Sequence, residues 1–277
     1  MICYEKKYLK YVNKINILEE LINNNQIGGS TNGYLDKNIQ KYGDFAKIGF
    51  KYKTDKVTHH NYYKIYPEYL EKYRKIKNMA MLEIGVDKSR SLYLWLDYFP
   101  NAFIYGIDID AKESGDRYKV FKCDQSDLTQ LEETKNKILN QKRDIFFIID
   151  DGSHVSEHQI LTFNNYFDTL LVNGGCYIIE DIETSYWTKN DIYGYKTNYG
   201  YHNKKSIIEI FKNVVDDINN EFLTNENKQK QEQNIGKIIP LSIRKMIKTI
   251  TFGKNCIIIM KKDRMENDVE YRFSSNL

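Results

Sequence analysis

The residues of this chain that could do chemistry gather at a few short places. One run reads Asp150-Asp151-Gly152-Ser153-His154, and another ends in Glu180-Asp181. Carboxylates are hard oxygen ligands, and several can converge on one divalent cation such as Mg2+. A cation held there lowers the pKa of an oxygen nucleophile and fixes its position. An imidazole takes up a proton near neutral pH. His154 follows Asp151 by three residues, so base and carboxylates would face the same reactant. A hydroxyl that must lose its proton as it attacks is the nucleophile such a group serves. The plain alternative for His154 is a loop histidine that organises its own turn.

The elements that must position these residues can be read from periodicity. Apolar runs at 80–86, 102–109, 118–123, 144–149 and 175–180 predict strands. The run at 144–149 is apolar throughout, as in a parallel strand covered on both faces. Helices are predicted over 91–98, with Ser89 or Ser91 as N-cap, over 128–139, and through Ile160, Phe163, Phe167, Leu170 and Leu171. A strongly amphipathic helix is predicted from Ile207 to Phe222. The charge-rich stretch 223–236 reads as a solvated loop. Residues 247–251 and 255–260 read as a closing hairpin. Upstream, residues 1–22 carry a weak helical pattern, 23–33 are turn formers, and 34–77 are polar, aromatic and loosely helical. The expectation is a doubly wound α/β domain over 79–277 and a mostly helical cap over 1–78.

In such a sheet, ligands bind beyond the carboxyl ends of the strands. Those ends read Glu83-Ile84-Gly85-Val86-Asp87-Lys88-Ser89, then Asp108 and Asp110, then Asp124-Gln125-Ser126-Asp127, then the two runs above. Any one acid in such a place is most simply a helix cap or a solvated turn. Five acidic ends along one edge ask for more. A dinucleotide site wants three glycines in the first turn, so that backbone can approach a pyrophosphate. Here Gly85 stands alone. An acid after the second strand suits ribose hydroxyls, and an acid or amide after the third suits an adenine amino group. Adenosine without a pyrophosphate points to S-adenosylmethionine.

The same residues resemble a known family. LEIGVDKSRSLYLWLDYFPNAFIYGIDID, CDQSD, FFIIDDGSHVSEH and GGCYIIEDIETSYW follow the order found in the metal-dependent sugar O-methyltransferases, such as the mycinamicin and macrocin enzymes. Upstream, Thr54-Asp55-Lys56 with His60 and Tyr62 resembles the family's segment before the core, and FGKNCIIIMKK its last strand. The resemblance covers roughly residues 43–262. It implies a Rossmann-like class I methyltransferase fold, with a seven-stranded, mostly parallel sheet and a C-terminal antiparallel hairpin. It implies transfer of a methyl group from S-adenosylmethionine to a sugar hydroxyl, assisted by Mg2+. It implies Asp151, Glu180 and Asp181 as metal ligands and His154 as general base. The implied cofactor residues are Thr54, Lys56, Glu83, Gly85, Ser89, Ser91, Asp108, Asp124, Gln125 and Asp150. His60, Tyr62, Tyr186 and Trp187 would meet the sugar-containing acceptor. One departure stands out: Ser89 occupies a place where the family often has glycine. The family also suggests a homo-oligomer, with the N-terminal segment as interface.

Three rival readings stay open. His154-Val155-Ser156-Glu157-His158 matches the H-x-x-E-H pattern of inverse zincins. Ser156 and Gln159 form a capping-box pattern, so a helix should start there and leave His154 outside it, off the face of His158. A second reading is a methyltransferase fold that binds cofactor as a scaffold without turnover. A third is a nucleic-acid methyltransferase, disfavoured because 41 Lys and Arg stand against 38 Asp and Glu. The N-terminus has no apolar core long enough for a signal peptide, and the longest apolar runs are too short to span a bilayer. Cys3, Cys123, Cys176 and Cys256 are scattered, and three of them sit in apolar runs as small hydrophobes. A reducing, cytoplasmic setting is the expectation.

Overall fold

The computed structural model describes residues 43–110, 112–189 and 197–263. The expected helix over 1–22, the linker after it and Cys3 lie outside the described residues. Among the described residues there are seven strands: β1 (Ala80–Ile84), β2 (Phe103–Asp108), β3 (Tyr118–Lys122), β4 (Ile145–Asp150), β5 (Leu171–Glu180), β6 (Ile247–Gly253) and β7 (Cys256–Lys261). They form one sheet in the order β3-β2-β1-β4-β5-β7-β6. The first five run parallel, and β7 is antiparallel to both β5 and β6. The expected parallel sheet with a closing hairpin is thus present. Strand order reverses between β1 and β4, which opens a crevice at their carboxyl ends.

Side chains alternate across the sheet, so each strand feeds two cores. Leu82, Ile84, Ile148, Tyr177 and Ile179 face one side. There they pack on α5 (Leu128–Leu139), α6 (Ser156–Tyr166) and α7 (Ile207–Ile218) through Leu131, Phe163 and Phe211. Met81, Phe147, Ile149, Cys176 and Ile178 face the other side. They meet α4 (Arg90–Tyr98) through Trp95 and Tyr98, and they also meet the upstream segment. That segment holds α1 (residues 43–52), α2 (Asp55–Thr58) and α3 (Tyr66–Leu70). Phe45, Val57, Tyr62, Tyr66 and Leu70 belong to the same buried cluster as the strands. The described part of the cap is therefore pressed onto the sheet. Cys123, Cys176 and Cys256 are buried free thiols.

Four local readings need correction. Residues 223–236 are not a loop: α8 (Asn225–Ile235) forms there, capped by the Thr224 hydroxyl accepting from Asn227 N. Ile235 is its one buried apolar residue, too few to show as an apolar pattern, and its other ties are polar. Gln231 Nε2 donates to Asp217 Oδ2 at 2.9 Å, and Glu232 pairs with the buried Arg244 of α9 (Leu241–Arg244). Second, α6 stops at Tyr166, and β5 begins at Leu171 rather than 175. Third, neither Ser89 nor Ser91 caps α4 through its side chain: Ser89 has no such bond, and the Ser91 hydroxyl donates to Glu83 at 2.9 Å. Fourth, α6 does start at Ser156, but without the capping box. Ser156 Oγ accepts from Ile207 N, and Gln159 Nε2 donates to Glu180 O.

Candidate active site

Strand parity sorts the acids of the sheet edge. Glu83 follows Met81 by two residues, and Glu180 follows Ile178 by two, so both carboxylates point to the cap side. Asp151, just past β4, falls on that side too. Asp150 has the opposite parity and points under the helices. There Gln125 Nε2 donates to both its oxygens at 2.8 and 2.7 Å, and Tyr177 OH reaches it at 3.5 Å. Burial pushes the Asp150 carboxyl up to about 7, against these hydrogen bonds.

The cap supplies the counter-ion. Lys56 of α2 is buried, and its Nζ lies 2.9 Å from Asp151 Oδ2 and 2.9 and 2.8 Å from the two oxygens of Glu180. Glu83 Oε1 is 3.4 Å away. Burial alone would lower the ammonium, but Asp151, Glu180 and Glu83 outweigh it and hold Lys56 well above its ordinary value. Tyr66 OH donates to Glu180 Oε1 at 2.8 Å. One lysine thus ties together carboxylates from the ends of β1, β4 and β5.

Beside this knot lies a group that could hold a cation. Ligand atoms of Asp151, His154 and Asp181 all lie within 4.8 Å of one another. His154 Nε2 is 4.0 Å from Asp151 Oδ1 and 3.7 Å from Asp181 Oδ2. Each carboxylate has its other oxygen engaged: Asp151 Oδ2 by Lys56, and Asp181 Oδ1 by Asn255 Nδ2 at 3.0 Å and Tyr62 OH at 3.2 Å. His154 and Asp181 both sit in the left-handed region, with φ of 56° and 53°. Non-glycine residues are held there only where surrounding structure over-determines them, commonly at working sites. His154 precedes α6, whereas His158 lies within it, with Nδ1 3.0 Å from Ser153 Oγ. The two histidines do not share a helix face toward one ion, which removes the geometry an inverse zincin requires. Burial lowers the pKa of His158.

The first turn after β1 packs directly on this group. Gly85 has φ of 84°, and a Cβ there would meet Asp151 O at 2.2 Å. The Asp108 carboxylate is spent on the same turn, accepting from Val86 N at 3.0 Å and Asp87 N at 2.8 Å through Oδ2, and from Asp110 N at 2.9 Å through Oδ1. Ser89 stands at φ 63°, a conformation glycine adopts without steric cost. Glu83 is turned inward, accepting from Ser91 OH and from Trp95 Nε1 at 3.0 Å. Asp124 Oδ1 accepts from Ser126 N and from its hydroxyl, and Gln125 Oε1 accepts from Ser153 N. Thr54 is buried, and its carbonyl starts α2 by accepting from Val57 and Thr58.

Among the aromatic candidates, Tyr186 is exposed and Trp187 is half-buried in the loop after β5. Tyr62 is buried between His60 and Tyr66, whose rings lie 5.2 and 4.8 Å from its own. Its ring faces are covered, so only its hydroxyl reaches the site. His60 Nε2 lies 3.4 Å from Asp181 Oδ1. Sequence reasoning missed Asn255 and Tyr199. Asn255 reads simply as a turn former, and Tyr199 as one of many tyrosines. Tyr199 OH accepts from Ser156 N at 3.1 Å and also bonds the Glu157 carboxylate, which ties the segment after β5 to the start of α6.

No family model matches the chain. Several curated proteins share stretches with it, these two among them. One is 8-demethyl-8-alpha-L-rhamnosyl tetracenomycin-C 2'-O-methyltransferase of Streptomyces olivaceus, 32% identical over 151 residues, 51% of this chain and 38% of that protein. The other is mycinamicin VI 2''-O-methyltransferase of Micromonospora griseorubida, 32% identical over 155 residues, 52% of this chain and 37% of that protein. The matched stretch therefore spans well under half the length of these relatives. A solved mycinamycin-pathway methyltransferase, in complex with Mg and SAH, superposes with a TM-score of 0.67 at 24% identity, over 85% of this chain and 58% of that one. That likeness establishes the fold. Over the matched stretch the chain is similar to these sugar O-methyltransferases, and it shares the fold of the solved methyltransferase.

Proposed function

We propose that this chain transfers the methyl group of S-adenosylmethionine to a sugar hydroxyl, with Asp151 and Asp181 holding a divalent cation and His154 acting as general base. The observation that carries the reading is the meeting of Asp151, His154 and Asp181 at the crevice beside the Gly85 turn. It occurs in a chain homologous to sugar O-methyltransferases. The relatives' names supply the acceptor class: a sugar borne on a natural product.

The donor set fits a hard cation. Two carboxylates each keep one oxygen toward His154 while the other is held by a fixed donor. A cation bound there would acidify and orient the acceptor hydroxyl. Glu180, expected as a third ligand, has both its oxygens on Lys56 Nζ and so stands behind the pair rather than in it. His154 Nε2, on the same side as Asp151 Oδ1 and Asp181 Oδ2, takes the hydroxyl proton as the methyl group passes from the sulfonium to the oxygen, leaving S-adenosylhomocysteine. The ends of β1 and β2, with the Gly85 turn held by Asp108, would hold the cofactor. Asp124 and Gln125 border its adenine end. The buried Thr54, Lys56, Glu83, Ser91 and Asp150 support the pocket from behind. Tyr186 and Trp187 flank the acceptor, and His60 and Tyr62 act on it through Asp181.

The test is calorimetric titration with S-adenosylhomocysteine, followed by transfer of labelled methyl to deoxysugar glycosides with Mg2+. Saturable binding near one per chain is expected, with turnover lost in EDTA and restored by Mg2+. A folded chain that binds no S-adenosylhomocysteine sinks the proposal. Turnover untouched by exhaustive EDTA removes Asp151 and Asp181 as metal ligands and leaves the transfer reaction standing.

A further inference from the structure

The last hairpin of the sheet reaches into the active site. β6 and β7 are joined by two residues, Lys254 and Asn255, between the paired Gly253 and Cys256. Asn255 has φ of 63°, which asparagine tolerates better than most residues, so a turn role alone would account for its backbone. Its side chain does something a turn does not require. Nδ2 donates to Asp181 Oδ1 at 3.0 Å, and Oδ1 accepts from Glu183 N at 2.9 Å. Its carbonyl accepts from Tyr62 OH at 3.0 Å, and Nδ2 stands 3.3 Å from His60 Nδ1. One amide therefore grips the residues on both sides of Ile182, just where Asp181 takes its left-handed conformation.

We infer that Asn255 is a positioning residue of the cation site: with the Tyr62 hydroxyl it fixes Asp181 Oδ1 by neutral donors and so aims Oδ2 toward His154 Nε2, where the ion would sit. Neutrality matters here. The partner oxygen of Asp151 is held by an ammonium, whose charge opposes a second cation nearby. An amide orients Asp181 without that repulsion. Outer-shell hydrogen bonds of this kind typically govern metal affinity by about 10–100-fold. This inference rests on the cation proposed above.

The experiment measures Mn2+ affinity by electron paramagnetic resonance of the free ion, in the full chain, without substrate. Wild type is compared with N255G and N255S, neither of which changes the charge of the site. Glycine keeps the turn and removes the amide. Serine keeps a polar side chain but lacks the amide that spans Asp181 and Glu183. Both variants are expected to bind Mn2+ about 10–100-fold more weakly, with S-adenosylhomocysteine affinity within about twofold of wild type as the control on folding. Mn2+ affinity at wild-type strength in either folded variant overturns the assignment. So does parallel loss of Mn2+ and S-adenosylhomocysteine binding in both variants, which would mark Asn255 as a residue of the fold alone. A wild-type chain that binds no Mn2+ removes the cation reading, and this inference with it.

Discussion

Both carboxylate oxygens of Glu180 lie within hydrogen-bond distance of one buried ammonium, Lys56 Nζ, at 2.9 and 2.8 Å. The two residues are far apart in sequence and come from different layers, one from the cap and one from the sheet. Their pairing fastens the upstream segment over the strand ends. It also places a fixed positive charge against the carboxylates of Glu83 and Asp151.

Removing that charge should cost stability. Lys56→Met leaves three buried or half-buried carboxylates facing one another. Breaking one side of a buried ion pair typically costs roughly 3–5 kcal/mol. Urea unfolding of Lys56→Met should show a loss of that order. Adding Glu180→Gln should restore part of it, because coupled residues are non-additive. A single variant as stable as wild type would mean that the ammonium contributes nothing net.

The proposed proton acceptor is His154. In that role His154→Ala should lower turnover about 10²–10⁴-fold while S-adenosylhomocysteine still binds, because a base would touch the acceptor and not the cofactor. Calorimetry beside a methyl-transfer assay checks both halves. Near-normal transfer by the variant would end the assignment and return His154 to the role of a loop organiser.

A second buried charge lies far from the chemistry. Arg244 is 1% exposed and pairs with Asp217 and Glu232, while its Nε donates to Ile239 O at 2.9 Å. It joins α7, α8 and α9. Arg244→Met should destabilise the chain by roughly 3–5 kcal/mol, because Asp217 stays buried without its cation. Thermal melts should fall accordingly, with S-adenosylhomocysteine affinity unchanged at temperatures where the variant is folded. An unaltered melting temperature would contradict this.

Much of the sheet was legible because apolar strands are dense local signals. The helix at 225–235 was not, since Ile235 is its one buried apolar residue and its other ties, Gln231 and Glu232, depend on Asp217 and Arg244 of other helices. The same limit hid Asn255. A turn residue announces its backbone preference in sequence, but not what its side chain reaches across the fold.

Local order along the chain determined the strands, their parallel arrangement with a closing hairpin, and the acidic ends that line one edge. Alternation with period two also fixed that Asp150 and Asp151 must point to opposite sides of the sheet. Only the tertiary structure decided how the acids divide their work. It gave Glu180 to Lys56, Asp150 to Gln125, and left Asp151 and Asp181 each with an oxygen toward His154. The reason is physical. A carboxylate's role depends on which donors reach it, and here those donors arrive from the cap, from the loop after β3 and from the final hairpin, none of them neighbours in sequence.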